Sequence, residues 1–256
     1  MFTRAIVRIP GGSFSKGLTT SGLGPPVLEL ALRQHEAYCR ALEGCGLSVT
    51  RLEADERHPD STFVEDVAAL TPRLAILTRP GAASRQGEVA GMRAALAPHF
   101  REMRTIEPPG TVDGGDVCQA EDRFFIGVSE RTNDEGARQL AALLRDQGFR
   151  PAVIDIRGTR GILHLKSGIA YLGDGRMAVI RELAGRPELA TFEAVPVGPG
   201  EAYAANCVRV NRGIILAAGY PGFAGALERL GYPTIPVDVS EFRKMDGGLS
   251  CLSLRF

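Results

Sequence analysis

Five short segments of this chain gather side chains able to make and break bonds: Phe63-Val64-Glu65-Asp66, Val112-Asp113-Gly114-Gly115-Asp116, Leu163-His164-Leu165-Lys166, Ala205-Asn206-Cys207 and Gly247-Gly248-Leu249-Ser250-Cys251. A cysteine thiolate is a strong nucleophile once a neighbouring cation or dipole lowers its pKa. A histidine within reach can carry a proton, and a carboxylate can fix its tautomer. Paired acids such as Glu65 and Asp66 can accept the planar, bidentate hydrogen bonds that a guanidinium donates. A cation held between those acids and Cys251 would itself favour the thiolate. The set therefore points to attack on a guanidinium or amidinium carbon. Each member alone has a plainer explanation, as a buried small thiol, a core histidine or turn-forming aspartates beside glycines. Their recurrence at matched register carries the argument.

Each segment is predicted to sit on the opening strand of a repeated phrase: a strand, a turn, an apolar strand, a helix and a closing strand. The apolar strands are expected at 74–77, 124–128, 177–180 and 213–216, and the closing strands at 48–52, 103–107, 152–156, 193–197 and 234–238. Five closing strands give five units of about 40–55 residues. In the third unit Asn133 is a good helix N-cap and Gly148 a good stop, with Leu140, Ala141, Leu143 and Leu144 on one face. In the first, Leu28, Leu30, Ala31, Leu32, Ala41 and Leu42 are expected to share a face. Pro187 limits any helix in the fourth, and Gly173-Asp174-Gly175 reads as a hairpin turn. Repetition at this period implies a closed or stacked α/β architecture, one domain over residues 1–256. Closure about a pseudo-fivefold axis would bring the five segments together.

Composition excludes several classes. Lys plus Arg (30) equals Asp plus Glu (30), so no global field recruits nucleic acid or an anionic membrane. Nothing approaches ~18 uninterrupted apolar residues, and Arg8 and Pro10 interrupt the N-terminal apolar run before a signal-peptide core can form. The cysteines, Cys39, Cys45, Cys118, Cys207 and Cys251, are odd in number and contain no CxxC pair, which fits reduced thiols in a cytoplasm and no structural zinc. Gly12 and Gly17 are followed by Leu18 rather than Gly-Lys-Ser/Thr, so the early glycines are not a phosphate loop. An active-site cover is the better physical reading of that segment, since closure excludes water.

As a set, the motifs HPDSTFVED (58–66), TRPGAASR (78–85), PGTVDGGDV (109–117), SERTNDEGARQ (129–139), LHLKSG (163–168), YAANC (203–207) and KMDGGLSCLSLRF (244–256) span the whole chain. The sequence resembles the dimethylargininases (dimethylarginine dimethylaminohydrolases) of the guanidine-modifying pentein superfamily. The resemblance implies a single-domain α/β propeller of five ββαβ units. It makes Cys251 the nucleophile, His164 the acid and base, and Asp113 the carboxylate that orients the histidine, with Asp116 as the alternative. Glu65, Asp66 and Asp60 correspond to guanidinium-binding acids, and Arg85 and Arg131 to the grip on the substrate's α-carboxylate. Leu18, in the lid, and Met245 complete the expected substrate contacts. No metal or organic cofactor is implied, and the oligomeric state stays open, a homodimer included.

Two rivals remain. Arginine deiminases use the same nucleophilic chemistry on unmethylated arginine, but usually carry an aspartate two residues after the histidine, where this chain has Lys166, and an extra helical insertion that it lacks. A pentein serving only as a binding module would not need Cys251, His164 and the acids together.

Overall fold

The computed structural model describes residues 1–256. The chain falls into two compact units: Met1–Val64 with Asn206–Phe256, and Glu65–Ala205. The N-terminal stretch supplies β1 (Arg4–Arg8), α1 (Leu28–Gly44) and β2 (Ser48–Leu52). The second unit carries β3 (Ala68–Leu70), β4 (Leu74–Leu77), α2 (Glu88–Leu96), β5 (Glu102–Thr105), β6 (Val117–Ala120), β7 (Arg123–Val128), α3 (Asp134–Asp146), β8 (Arg150–Asp155), β9 (Ile169–Gly173), β10 (Arg176–Val179) and β11 (Glu193–Pro196). The C-terminal stretch returns to the first unit with β12 (Val208–Val210), β13 (Gly213–Ala217), α4 (Pro221–Arg229), β14 (Thr234–Val237), α5 (Ser240–Arg243) and β15 (Leu254–Arg255).

All five sheets have three strands built to one plan, two in the first unit and three in the second. The central strand pairs antiparallel with the strand that opens the phrase and parallel with the strand that closes it. In the first unit β15, last in the chain, fills the opening place beside β1. The expected turn at Gly173-Asp174-Gly175 joins β9 to β10 with all three residues left-handed (φ +90°, +53° and +71°), a conformation that glycine adopts without steric cost. Between β10 and β11 the helix is missing, as Pro187 implied, and two single 3-10 turns (181–183 and 187–189) replace it.

Two expectations need correction. The chemistry-bearing segments do not lie on the opening strands. Each forms or adjoins a single 3-10 turn just before its strand, at Val64–Val67, Gly114–Asp116, Leu165–Ser167, Ala202–Ala205 and Ser250–Leu252. Tight backbone bonds close three of these turns, from Asp116 N–H to Asp113 C=O (3.0 Å), Ser167 to His164 (3.0 Å) and Cys251 to Gly248 (3.2 Å). A turn rather than a strand lets neighbouring side chains point the same way, which strict strand alternation forbids. The second correction concerns α1, whose buried stripe is Ala31, Gln34, His35, Tyr38, Cys39 and Leu42, while Leu30 and Leu32 are exposed. Residues 30, 31 and 32 are about 100° apart around a helix, so they cannot share one narrow face.

In the second unit α3 lies on its sheets through Leu140, Ala141 and Leu144, packed into a cluster with Ile106, Val117, Phe124 and Ile126. Asn133 caps this helix by accepting the Gly136 N–H at 2.8 Å. Leu140 is fully buried, so Leu140→Ala should lower unfolding free energy by about 2–5 kcal/mol. Urea denaturation checks this, and a loss below ~1 kcal/mol would place the helix outside the folding core.

Candidate active site

His164 heads the 165–167 turn of the second unit and is nearly buried. Its Nε2 lies 3.1 Å from Asp113 Oδ2. Asp113 is held in turn: its Oδ1 accepts the Gly81 N–H (2.9 Å), and its own N–H donates to Thr132 Oγ1 (3.1 Å). Gly115 passes against the imidazole so closely that a Cβ there would fall 2.8 Å from His164 Cγ and Nδ1 and 3.0 Å from Asp66 Oδ1. The second glycine of VDGGD is therefore a space requirement.

The electrostatics centre on that ring. Burial opposes the imidazolium, but the charges of Asp66 and Asp116 and the bond to Asp113 outweigh it, and the His164 pKa is raised to about 9. The ring is therefore a cation at neutral pH, donating Nε2–H to Asp113. Asp66 is buried too. Burial pushes its pKa up, yet Arg85, His164 and the Gly115 N–H (2.8 Å) hold it below the usual carboxylate range. Arg85 bonds Asp66 through Nη1 and clasps Glu88 with Nε and Nη2 at 3.0 and 2.8 Å. Glu65 accepts Lys166 Nζ at 2.6 Å, both side chains being mostly buried.

These contacts sort the expected residues. Between the two candidates for orienting the histidine, geometry selects Asp113. Asp116, expected at the substrate, is fully buried with both oxygens engaged: Oδ2 accepts Ser129 Oγ and Thr132 Oγ1 (2.7 Å each), and Oδ1 accepts the Leu165 N–H (2.9 Å). It fastens the 129–132 turn and the backbone beside His164. Arg85, expected on a ligand's carboxylate, is buried and committed to Asp66 and Glu88, because two internal acids need a counter-charge. Arg131 differs. It follows Ser129 on the turn that Asp116 fastens, is half-buried, and its guanidinium takes no ion pair. Glu88 was not foreseen, although its place three residues after Arg85 on one helical turn was a readable signal. Asp66, Asp113 and His164 bring ligand atoms within 4.8 Å of one another, a spacing that could hold a cation. Arg85 and the imidazolium already supply positive charge to those acids.

In the first unit Cys251 sits in the 250–252 turn, 8% exposed. Asp60, also buried, accepts the Leu18 N–H through both oxygens (3.0 and 3.2 Å). Gly17 fits between Asp60 and Met245, where a Cβ would fall 2.4 Å from Asp60 Oδ1 and 3.2 Å from Met245 Cε. Leu18, Asp60 and Met245 thus gather around one point of the glycine-rich segment expected to form a cover. The segment is further fastened by Thr19 and Ser21 hydroxyls donating to Lys244 C=O (2.7 and 2.6 Å) and by the Thr20 hydroxyl to Asp246 (3.0 Å).

The arginine deiminase family model matches residues 42–198. The N(G),N(G)-dimethylarginine dimethylaminohydrolase of Pseudomonas aeruginosa is 46% identical over 257 residues, covering 100% of both chains. That of Streptomyces coelicolor is 35% identical over 98% of this chain and 96% of its own. The crystal structure of the P. aeruginosa protein as a cysteine-to-serine mutant complexed with citrulline superposes with a TM-score of 0.97 at 46% identity, covering 100% of each chain. The fold is accordingly of the pentein class, five units of the ββαβ plan, the fourth with two 3-10 turns in place of its helix. The chain belongs to the dimethylarginine dimethylaminohydrolase family.

The Asp113 bond is one of the forces that keep His164 protonated, so Asp113→Asn should lower the imidazole pKa from about 9 toward the ordinary range. An NMR titration of the His164 ring protons reads this directly. A midpoint unchanged in the variant would remove Asp113 from that role.

Proposed function

We propose that this protein is a dimethylargininase: a cysteine hydrolase that converts Nω-methylated arginine, as asymmetric dimethylarginine or monomethylarginine, to L-citrulline and dimethylamine or methylamine in the cytoplasm. The observation that carries the reading is the buried, protonated His164 bonded to Asp113, in a chain of this family with a turn-borne Cys251. An imidazolium is the right species to meet a departing amine, which leaves easily only when protonated.

The reaction begins with the Cys251 thiolate attacking the guanidinium carbon, forming a C–S bond and a tetrahedral adduct. His164 gives its proton to the dimethylamine nitrogen, the C–N bond breaks, and a covalent thiouronium remains. The now neutral imidazole takes a proton from water and the resulting hydroxide adds to the same carbon; the adduct's hydroxyl proton passes through solvent to the released dimethylamine as the C–S bond breaks, giving citrulline, dimethylammonium, thiolate and imidazolium. Asp113 holds the ring throughout. Acid–base catalysis of this kind contributes about 10²–10⁴-fold, with positioning and electrostatics supplying the rest.

Recognition divides by charge. Arg131, with no internal partner, binds the α-carboxylate, Leu18 and Met245 meet the amino-acid end under the lid, and Asp60 serves the guanidinium. Asp66 faces the guanidinium. Lys166 takes up the charge of Glu65, which suits a nitrogen whose methyl groups have replaced its N–H donors.

Incubation of the purified protein with asymmetric dimethylarginine and, in parallel, with arginine tests the proposal by mass spectrometry of citrulline and released amine. The expected result is citrulline with dimethylamine from the methylated substrate, lost in Cys251→Ser. Ammonia and citrulline from arginine alone would overturn the substrate assignment in favour of a deiminase, and no citrulline from either would overturn the reaction class.

A further inference from the structure

The turn that carries Cys251 is gripped from the side by an amide that the chemistry above does not use. Asn206 stands two residues before β12 in the first unit and is buried. Its Oδ1 accepts the backbone N–H of Ser250 at 2.9 Å, and its Nδ2 donates to Ser250 Oγ at 3.1 Å. A backbone N–H can only donate, so Ser250 itself dictates which end of the amide faces it. Asn206 also lies flat against the chain two residues earlier: a Cβ on Gly248 would fall 2.6 Å from its Cγ and Oδ1. One residue earlier, a Cβ on Gly247 would fall 2.2 Å from Cε1 of Phe63. Phe63 is braced in turn by Phe14 and Phe242, with ring centroids 5.9 and 6.4 Å away. Only two successive glycines let the 247–251 turn pass against that ring and that amide.

From this we infer that Asn206 is a positioning residue for the Cys251 thiol, its two-point hold on Ser250 setting the backbone from which Sγ projects. The inference rests on the proposed nucleophilic role of Cys251. A reacting atom displaced by ~1 Å loses about 10²-fold in rate, which gives the hold a kinetic consequence beyond satisfying buried polar atoms.

The test compares Asn206→Ala, Asn206→Asp and Ser250→Ala with the wild type in steady-state kinetics on asymmetric dimethylarginine. The rate of Cys251 alkylation by iodoacetamide is followed across pH, and near-UV circular dichroism reports packing. Asn206→Ala should lower kcat about 10²-fold with KM within about threefold, and should slow Cys251 alkylation. Ser250→Ala keeps its backbone bond to Oδ1 and should lose less. Asn206→Asp preserves shape and acceptor but adds a charge beside the turn, so its alkylation midpoint should move to higher pH while kcat recovers above that midpoint. Wild-type kcat and alkylation in Asn206→Ala would overturn the inference. So would an altered near-UV spectrum in that variant together with an Asn206→Asp protein inactive at every pH, since both mark a purely structural part. Turnover retained by Cys251→Ser would instead overturn the nucleophile assignment on which the inference rests, whatever the Asn206 variants do.

Discussion

A buried imidazolium among carboxylates is the constraint on which the rest of the second unit depends. Taking charged groups out of water is costly, and the cost is recovered only where each charge meets an opposite one in good hydrogen-bonding geometry. The unit meets that condition by alternation. His164 answers Asp113, and Arg85 answers Asp66 and Glu88. Asp116 has no cation bonded to it, and burial pushes its pKa up while two hydroxyls and the Leu165 N–H hold its oxygens. Removing any one member leaves a partner buried and unmatched. The same arrangement that stabilises the cluster keeps a proton on His164 at neutral pH, so structure and reactivity share one cause.

Backbone geometry delivers these groups. Each sheet is entered through a single tight turn, and the side chains with chemistry ride on or beside those turns rather than on the strands. Glycines let the turns approach one another, as at Gly115 against the imidazole and Gly81, whose N–H reaches Asp113. In the first unit, Gly17 packs against Asp60 and Met245, and Gly247 and Gly248 pack against Phe63 and Asn206. The segment around Leu18 is held by the buried Asp60 carboxylate and by hydroxyl bonds to the half-buried Lys244 and Asp246.

Much of this was legible in the sequence, because repeated elements carry strong local signals. The strands at 48–52 and 74–77, the cap at Asn133, the hairpin at Asp174 and the missing fourth helix all follow from periodicity and turn chemistry. Cys251, His164 and the acids stand at matched places in the repeat, and in the second unit the structure brings His164 together with Asp66 and Asp113. What could not be read was which polar group each side chain would choose. That Arg85 would pair with Asp66 and Glu88 was not readable, and Asp113 could be told from Asp116 only by position in space. Leu30 and Leu32 misled for a simpler reason: apolar residues at successive positions cannot all face inward, and the sequence does not say which will.

The central claim is that the Cys251 thiol and the His164 proton act on one guanidinium carbon. The most direct test is rapid-quench mass spectrometry of the protein during turnover of asymmetric dimethylarginine. The account predicts a transient adduct on the peptide containing Cys251, with the mass of the substrate less dimethylamine, appearing and decaying at rates that account for kcat. Turnover with no such adduct, or with the adduct on another cysteine, would contradict it.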